Sequence, residues 1–365
     1  MMLRRTLIVL ALALASLTQA AGGTFYQEEL HIPFAAAGPE GLEALLIRPQ
    51  ATGRYPLVLI SHGAPRKADN ARTMSPRSLV PAATEFARRG WAAVIVMRRG
   101  YGQSGGNDVE RSRSCTDPDY VASARTSAAD LNAAIRALVQ RSDIDGSRIL
   151  AVGHSAGGLA TVALTAEPPP GLLAAINFAG GRGSRSDNEL CREDRLISAF
   201  GLFGKTSRVP MLWVYSENDH YFAPQLAEKF RQAFVDGGGR VDFVKAAPFG
   251  ADGHNLFSLA GIPVWTPIVN EFLAKQNLTQ RPTPMTLDLP ALMPPPQLSE
   301  RGRNAFELYR MAASHKAFAI SADGHFGWRT GRRTGDQAKA EALKLCEGDV
   351  LRDCRIVFID DEASP

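Results

Sequence analysis

Residues 148–166 read RILAVGHSAGGLATVALTA, and this stretch decides the fold. Ile149–Val152 is a short unbroken apolar run, as a strand buried on both faces requires. Gly157–Ala166 suits a helix, and three prolines, Pro168 to Pro170, end it. Between the two lies Gly153-His154-Ser155-Ala156-Gly157, a G-x-S-x-G pentapeptide at a strand–turn–helix junction. A serine at such a turn takes an unfavourable backbone conformation, and the flanking glycines keep strand and helix atoms apart. The Ser155 hydroxyl is then expected to stand clear of the sheet as a nucleophile.

Working outward, strands and helices alternate over residues 25–277. Strands are expected at Leu42–Arg48, Pro56–Ser61, Trp91–Met97, Leu172–Phe178, Pro210–Tyr215 and Val241–Ala246. Helices are expected at Ser75–Arg89, Asp119–Arg141, Ala223–Val235 and Ile262–Lys275. Apolar strands alternating with helices predict an α/β fold with a doubly wound, mostly parallel sheet. Residues 182–209 read as a cap inserted into it. Residues 278–297 hold six prolines and no glycine. They predict a linker or wrapping segment. Residues 298–365 read as a small C-terminal α+β module, with a hairpin turning at Asp323-Gly324 and a helix over Asp336–Cys346. No residue set in this module suggests chemistry.

A nucleophilic serine needs a base, and the base an orienting acid, in the chain order Ser, Asp or Glu, His. Asp219 follows the strand ending at Tyr215, and His254 lies in the glycine-rich loop after the last strand. Glu217 and Asp252 rival Asp219 as the acid. His62 and His154 precede the acid, so order argues against them as the base. An oxyanion hole needs two backbone N–H donors. Ala156, just after the nucleophile, offers one, and Ala64 in Ser61-His62-Gly63-Ala64-Pro65 offers the other. His62, Arg99, Tyr101 and His220 are candidate lining residues of the substrate pocket.

The combination of SHGAP, MRRGYGQSGG, GHSAGG, YSENDHYF and ADGHNLF resembles the dienelactone-hydrolase-like and prolyl-oligopeptidase-like branch of the α/β-hydrolases. The resemblance covers roughly residues 40–275. It implies ester or amide hydrolysis through an acyl-enzyme, with no metal or other cofactor. Dienelactone hydrolases proper carry cysteine where this chain has Ser155, and Ser216 replaces the glycine usual before the acid. A carboxylesterase-like activity is the expectation. A peptidase or acyltransferase with the same triad, or a catalytically silent binding scaffold, are the alternatives.

Composition adds bounds. The chain has 365 residues and 45% hydrophobic content, enough for one large core and a small extra unit. Residues 1–20 combine Arg4 and Arg5, an apolar run and small residues, the pattern of a secretory signal rather than a bilayer anchor. Without those two arginines the formal charge of +4 drops to +2. That leaves no footprint for nucleic acid, and no later segment is apolar enough to span a membrane. Export to the periplasm or beyond a bacterial cell would expose Cys115, Cys191, Cys346 and Cys354 to oxidation. Four cysteines allow three connectivities. Proximity favours Cys346–Cys354, leaving Cys115–Cys191 to pin the loop after the fourth strand to the cap. The partner expected is a small-molecule or peptide acyl substrate, while oligomeric state is not legible in the sequence.

Overall fold

The computed structural model describes residues 25–67, 70–107, 114–349 and 352–364. The expected secretory segment, residues 1–20, lies outside them. From the N-terminus come β1 (Phe25–Ile32), β2 (Leu42–Pro49), β3 (Tyr55–Ser61), α1 (Val80–Arg88), β4 (Ala92–Val96) and α2 (Tyr120–Leu138). Then follow β5 (Ile144–His154), α3 (Ala156–Ala166) and β6 (Leu172–Phe178). A short hairpin, β7 (Ser184–Ser186) and β8 (Glu189–Leu190), leads to α4 (Glu193–Gly204). β9 (Met211–Ser216), α5 (Pro224–Asp236), β10 (Val241–Ala246) and α6 (Ile262–Lys275) complete the unit.

Eight strands form one sheet in the order β1-β2-β4-β3-β5-β6-β9-β10. β2 runs antiparallel to β1 and β4, and every pairing from β4 to β10 is parallel. The period of two along β3 sorts its side chains between the layers. Leu57 and Leu59 pack with Leu131 of α2, Leu159 of α3, Phe200 of α4 and Phe230 of α5. Val58 and Ile60 pack on the other face with Phe86 of α1 and Trp265 of α6. The sheet is therefore doubly wound, as the alternating pattern predicts.

Local chemistry explains most element ends. Asp119 caps α2 by accepting the Ala122 amide at 2.9 Å. The helix expected from Ser75 is split: Ser75 caps a 3-10 turn over Pro76–Leu79, and α1 begins only at Val80. Pro76 and Pro81 lack the amide a continuous helix would use, so each sits at the start of its own segment. Residues 182–209, expected as a cap, hold the β7–β8 hairpin and α4, and Leu196, Ala199, Phe200 and Phe203 of α4 pack on the sheet with the core helices. Cys115–Cys191 joins this stretch to the segment before α2 across 76 residues.

Residues 278–297 contain no helix or strand. They lie along α1, where Met285 and Arg88 exchange two hydrogen bonds of 2.7 and 2.8 Å. Beyond them come α7 (Glu300–Met311), β11 (Ala317–Ser321), β12 (Phe326–Arg329), α8 (Gly335–Glu347), β13 (Cys354–Ile359) and β14 (Glu362–Ala363). These strands form an antiparallel sheet ordered β12-β11-β13-β14. Phe318 and Ile320 meet Phe306 and Tyr309 of α7. Ala317 and Ala319 meet Ala338 and Ala342 of α8. Cys346–Cys354 ties α8 to β13. Among the described residues no helix is long and apolar enough to cross a membrane.

Candidate active site

β3 and β5 are neighbours in the sheet, and both end at the same edge. Ser155 follows β5 with φ +55° and ψ −121°, a conformation rare outside glycine. Neighbouring backbone holds it there. The Ser155 amide donates to Phe178 O at 2.9 Å, and its carbonyl accepts from Gly181 at 3.1 Å and Leu159 at 3.2 Å. The glycines of the pentapeptide are required by space. A Cβ at Gly153 would fall 2.1 Å from Gly157 O, and one at Gly157 would fall 2.3 Å from Ser61 O.

Asp219 lies past the end of β9, and His254 past the end of β10. His254 Nδ1 lies 3.1 Å from Asp219 Oδ2, and both residues are buried. The other oxygen, Asp219 Oδ1, accepts the amides of Tyr221 at 2.7 Å and Phe222 at 2.9 Å. That arrangement leaves Oδ2 for the imidazole and makes Nδ1 the protonated nitrogen. The two rivals have other partners. Asp252 Oδ1 accepts the amides of His254 at 2.9 Å and His220 at 3.1 Å, bracing the loop rather than the ring. Glu217 is exposed and pairs with Lys245 at 3.3 Å.

Aromatic rings frame His254. Tyr221 stacks on it at 3.9 Å between centroids, and the Arg66 guanidinium covers the far face of the site at 3.7 Å from the Tyr221 centroid. His154 supports the loop from below: its Nε2–H donates to the His254 carbonyl at 2.8 Å. Burial, together with the nearby His254 ring, pushes the His154 imidazole down to about 4, so it stays neutral near pH 7.

The proposed oxyanion loop begins at the end of β3. A Cβ placed on Gly63 would lie 3.1 Å from Ser155 Cβ and 3.6 Å from its hydroxyl oxygen. The loop backbone therefore passes directly beside the serine. His62 is buried behind it. Its Nε2 accepts the Arg98 amide at 3.0 Å, so Nδ1 carries the proton donated to Gly63 O at 2.6 Å. Arg98, fully buried, donates to Ser61 Oγ at 2.8 Å and His62 O at 2.6 Å. Among the described residues no protein acceptor takes the amide of Ala64 or Ala156.

The structure brings Ser155, Asp219, His254, Ala64 and Ala156 to one sheet edge. The four candidate pocket residues divide. His220 is partly exposed, 3.8 Å from Asp187 in the turn between β7 and β8. Tyr101 is buried against the His62 ring at 4.7 Å. Arg99 turns away to Asp130 of α2, at 2.7 Å from a fully buried carboxylate. In the sequence Arg98 and Tyr221 stand out only as members of the MRRGYGQSGG and YSENDHYF stretches, without a role, and Arg66 does not stand out at all. Arginine and tyrosine are common surface residues, and no spacing marks these. Among the described residues no cluster of three or more His, Cys, Asp or Glu could hold a metal ion.

A family model described as X-Pro dipeptidyl-peptidase (S15 family) matches residues 40–205. No curated protein matches the chain in sequence. Among solved structures, the chain is similar to one described as a dipeptidyl aminopeptidase IV from Bacteroides ovatus. That likeness has 16% identity and a TM-score of 0.52, over 69% of this chain and 36% of that one. The chain thus spans about a third of that protein's length. It is also similar to Thermogutta terrifontis esterase 2 phosphorylated by paraoxon, with 19% identity and a TM-score of 0.49 over 69% and 95% of the two chains. A third is described as a dienelactone hydrolase from Klebsiella pneumoniae, with 18% identity and a TM-score of 0.47 over 69% and 98%.

Proposed function

The chain is an α/β-hydrolase in fold, and we propose that it is a serine hydrolase cleaving carboxylic esters through an acyl-enzyme on Ser155. The observation that carries this reading is the His254–Asp219 contact of 3.1 Å at the sheet edge that holds the strained Ser155.

Ser155 Oγ attacks the acyl carbonyl while His254 Nε2 takes its proton. Asp219 keeps the other ring nitrogen protonated and steadies the imidazolium. The oxygen that gains charge is held by the Ala64 and Ala156 amides, which have no protein acceptor among the described residues to give up. His254 then protonates the leaving alcohol, and the acyl-enzyme is released by water activated by the same ring. Every step moves a proton between groups of this chain, substrate and water.

The family-model match favours a second reading, peptide cleavage with the same residues. The two disulfides fit an exported protein acting in an oxidising compartment. A panel of p-nitrophenyl esters and aminoacyl anilides, run on wild type and Ser155→Ala, tests both readings. Ester turnover abolished by the substitution supports the first. Anilide turnover well above ester turnover supports the second, and turnover that survives the substitution contradicts both.

A further inference from the structure

Among the contacts the C-terminal unit makes with the large domain, that of Arg333 is ionic and meets a buried carboxylate. Arg333, between β12 and α8, donates to both oxygens of Glu43 on β2, at 2.8 and 3.0 Å, and also to Met74 O. Glu43 is buried, so this is a bidentate pair largely out of water. Beside it, a Cβ on Gly331 would lie 2.9 Å from Arg77 O, so the segment seats closely on the domain.

Glu43 in turn holds the loop of residues 98–106. Its Oε2 accepts the Gln103 amide at 2.7 Å, and its own amide donates to Ser104 Oγ at 2.9 Å. Ser104 Oγ donates to Met97 O at 2.6 Å. Gly102 has φ +56°, and a Cβ there would lie 2.4 Å from Glu43 Oε2 and 2.6 Å from the Arg333 guanidinium. The same loop supplies Arg98 and Tyr101, which grip Ser61 and His62 and so fix where Gly63 meets Ser155.

We propose that Arg333 is a positioning residue for the oxyanion loop, acting through Glu43 and the 98–106 loop, so that the C-terminal unit is part of the catalytic apparatus. The proposal rests on the serine-hydrolase reading for its catalytic half. Removing Arg333 would leave the Glu43 carboxylate buried with only backbone partners, a state that favours rearrangement of the loop it holds. A misplaced oxyanion donor weakens transition-state binding more than substrate binding.

The experiment uses the full chain as wild type, Arg333→Ala, Arg333→Lys and Glu43→Gln. Two readouts are taken: amide hydrogen exchange by mass spectrometry, and kcat and KM on p-nitrophenyl butyrate. In Arg333→Ala and Glu43→Gln, peptides covering 61–66 and 98–106 exchange faster while peptides of β5 and β6 keep wild-type rates. In both, kcat falls roughly tenfold at unchanged KM, and Arg333→Lys recovers part of the loss. Unchanged exchange at 61–66 overturns the proposal, as does faster exchange with wild-type kcat. Faster exchange spread over the whole sheet assigns Arg333 a merely structural role and overturns it too. If Arg333→Ala does not fold, Glu43→Gln and Arg333→Lys decide by the same criteria. A wild type that turns over no ester removes the catalytic half, and the exchange data still decide whether Arg333 positions the loop.

Discussion

The Tyr221 ring lies flat on the His254 ring, with centroids 3.9 Å apart and planes 11° apart. The stack fixes the tilt of the base that must reach Ser155. Its outer face is closed by Arg66, which also reaches Asp187 between β7 and β8 at 2.9 Å. Tyr221→Phe keeps the ring and should keep near-wild-type kcat. Tyr221→Ala should lower kcat by roughly fivefold, since a stacked pair of rings contributes about 1 kcal/mol. Steady-state ester hydrolysis separates the two variants. Equal activity in both would show that the stack does not position His254.

The acid assignment predicts an unequal pair. Asp219→Asn preserves shape and removes the carboxylate that selects the His254 tautomer, so kcat should drop by roughly ten-thousandfold. Asp252→Asn leaves an oxygen for the His254 and His220 amides and should cost far less. The reverse order of losses would move the acid to Asp252.

His154 sets part of the response to acid. Its folded value is held near 4 by burial, below the ordinary 6.5. Between those values the unfolded chain binds a proton that the folded chain refuses. Stability contributed by the neutral ring is therefore lost as pH falls from about 6.5 towards 4. His154→Gln removes the titration and can still donate to the His254 carbonyl. Urea midpoints at pH 7 and pH 5 should drop less for this variant than for wild type, and parallel drops would remove His154 from the acid response.

Much of this site is legible in residues 148–166, because few sequences place a tight serine turn between a buried strand and an Ala-rich helix. Asp219 and His254 follow from chain order. Asp219 is separated from Asp252 by its contact with the His254 ring, whereas Asp252 meets only backbone amides of that loop, a difference that spacing does not encode. β1 is missed because FYQEELHI is a half-exposed edge strand without the continuous apolar pattern of its neighbours. The hairpin of β7 and β8 is too short for any periodicity. The partners of Arg98 and Arg333 escape notice for one reason. A buried arginine is recognised by its partners, and those lie 36 and 290 residues away at His62 and Glu43.

The two disulfides should differ in their contribution to stability. Cys115–Cys191 closes a loop of 76 residues and Cys346–Cys354 one of 8. Loop-closure entropy then assigns the longer bridge roughly 4.5 kcal/mol and the shorter roughly 2.5. Guanidinium unfolding of the paired Ser variants checks the order. A larger midpoint loss for the Cys346→Ser, Cys354→Ser pair would mean that native-state contacts outweigh chain entropy here.

The most direct measurement is covalent. Wild type and Ser155→Ala are treated with a fluorophosphonate probe and digested, and the adduct is located by mass spectrometry. A single stoichiometric adduct on Ser155, absent from Ser155→Ala and strongly slowed by removal of the His254 imidazole, is the predicted result. Labelling that persists in Ser155→Ala, or no adduct on folded wild type, would contradict the account.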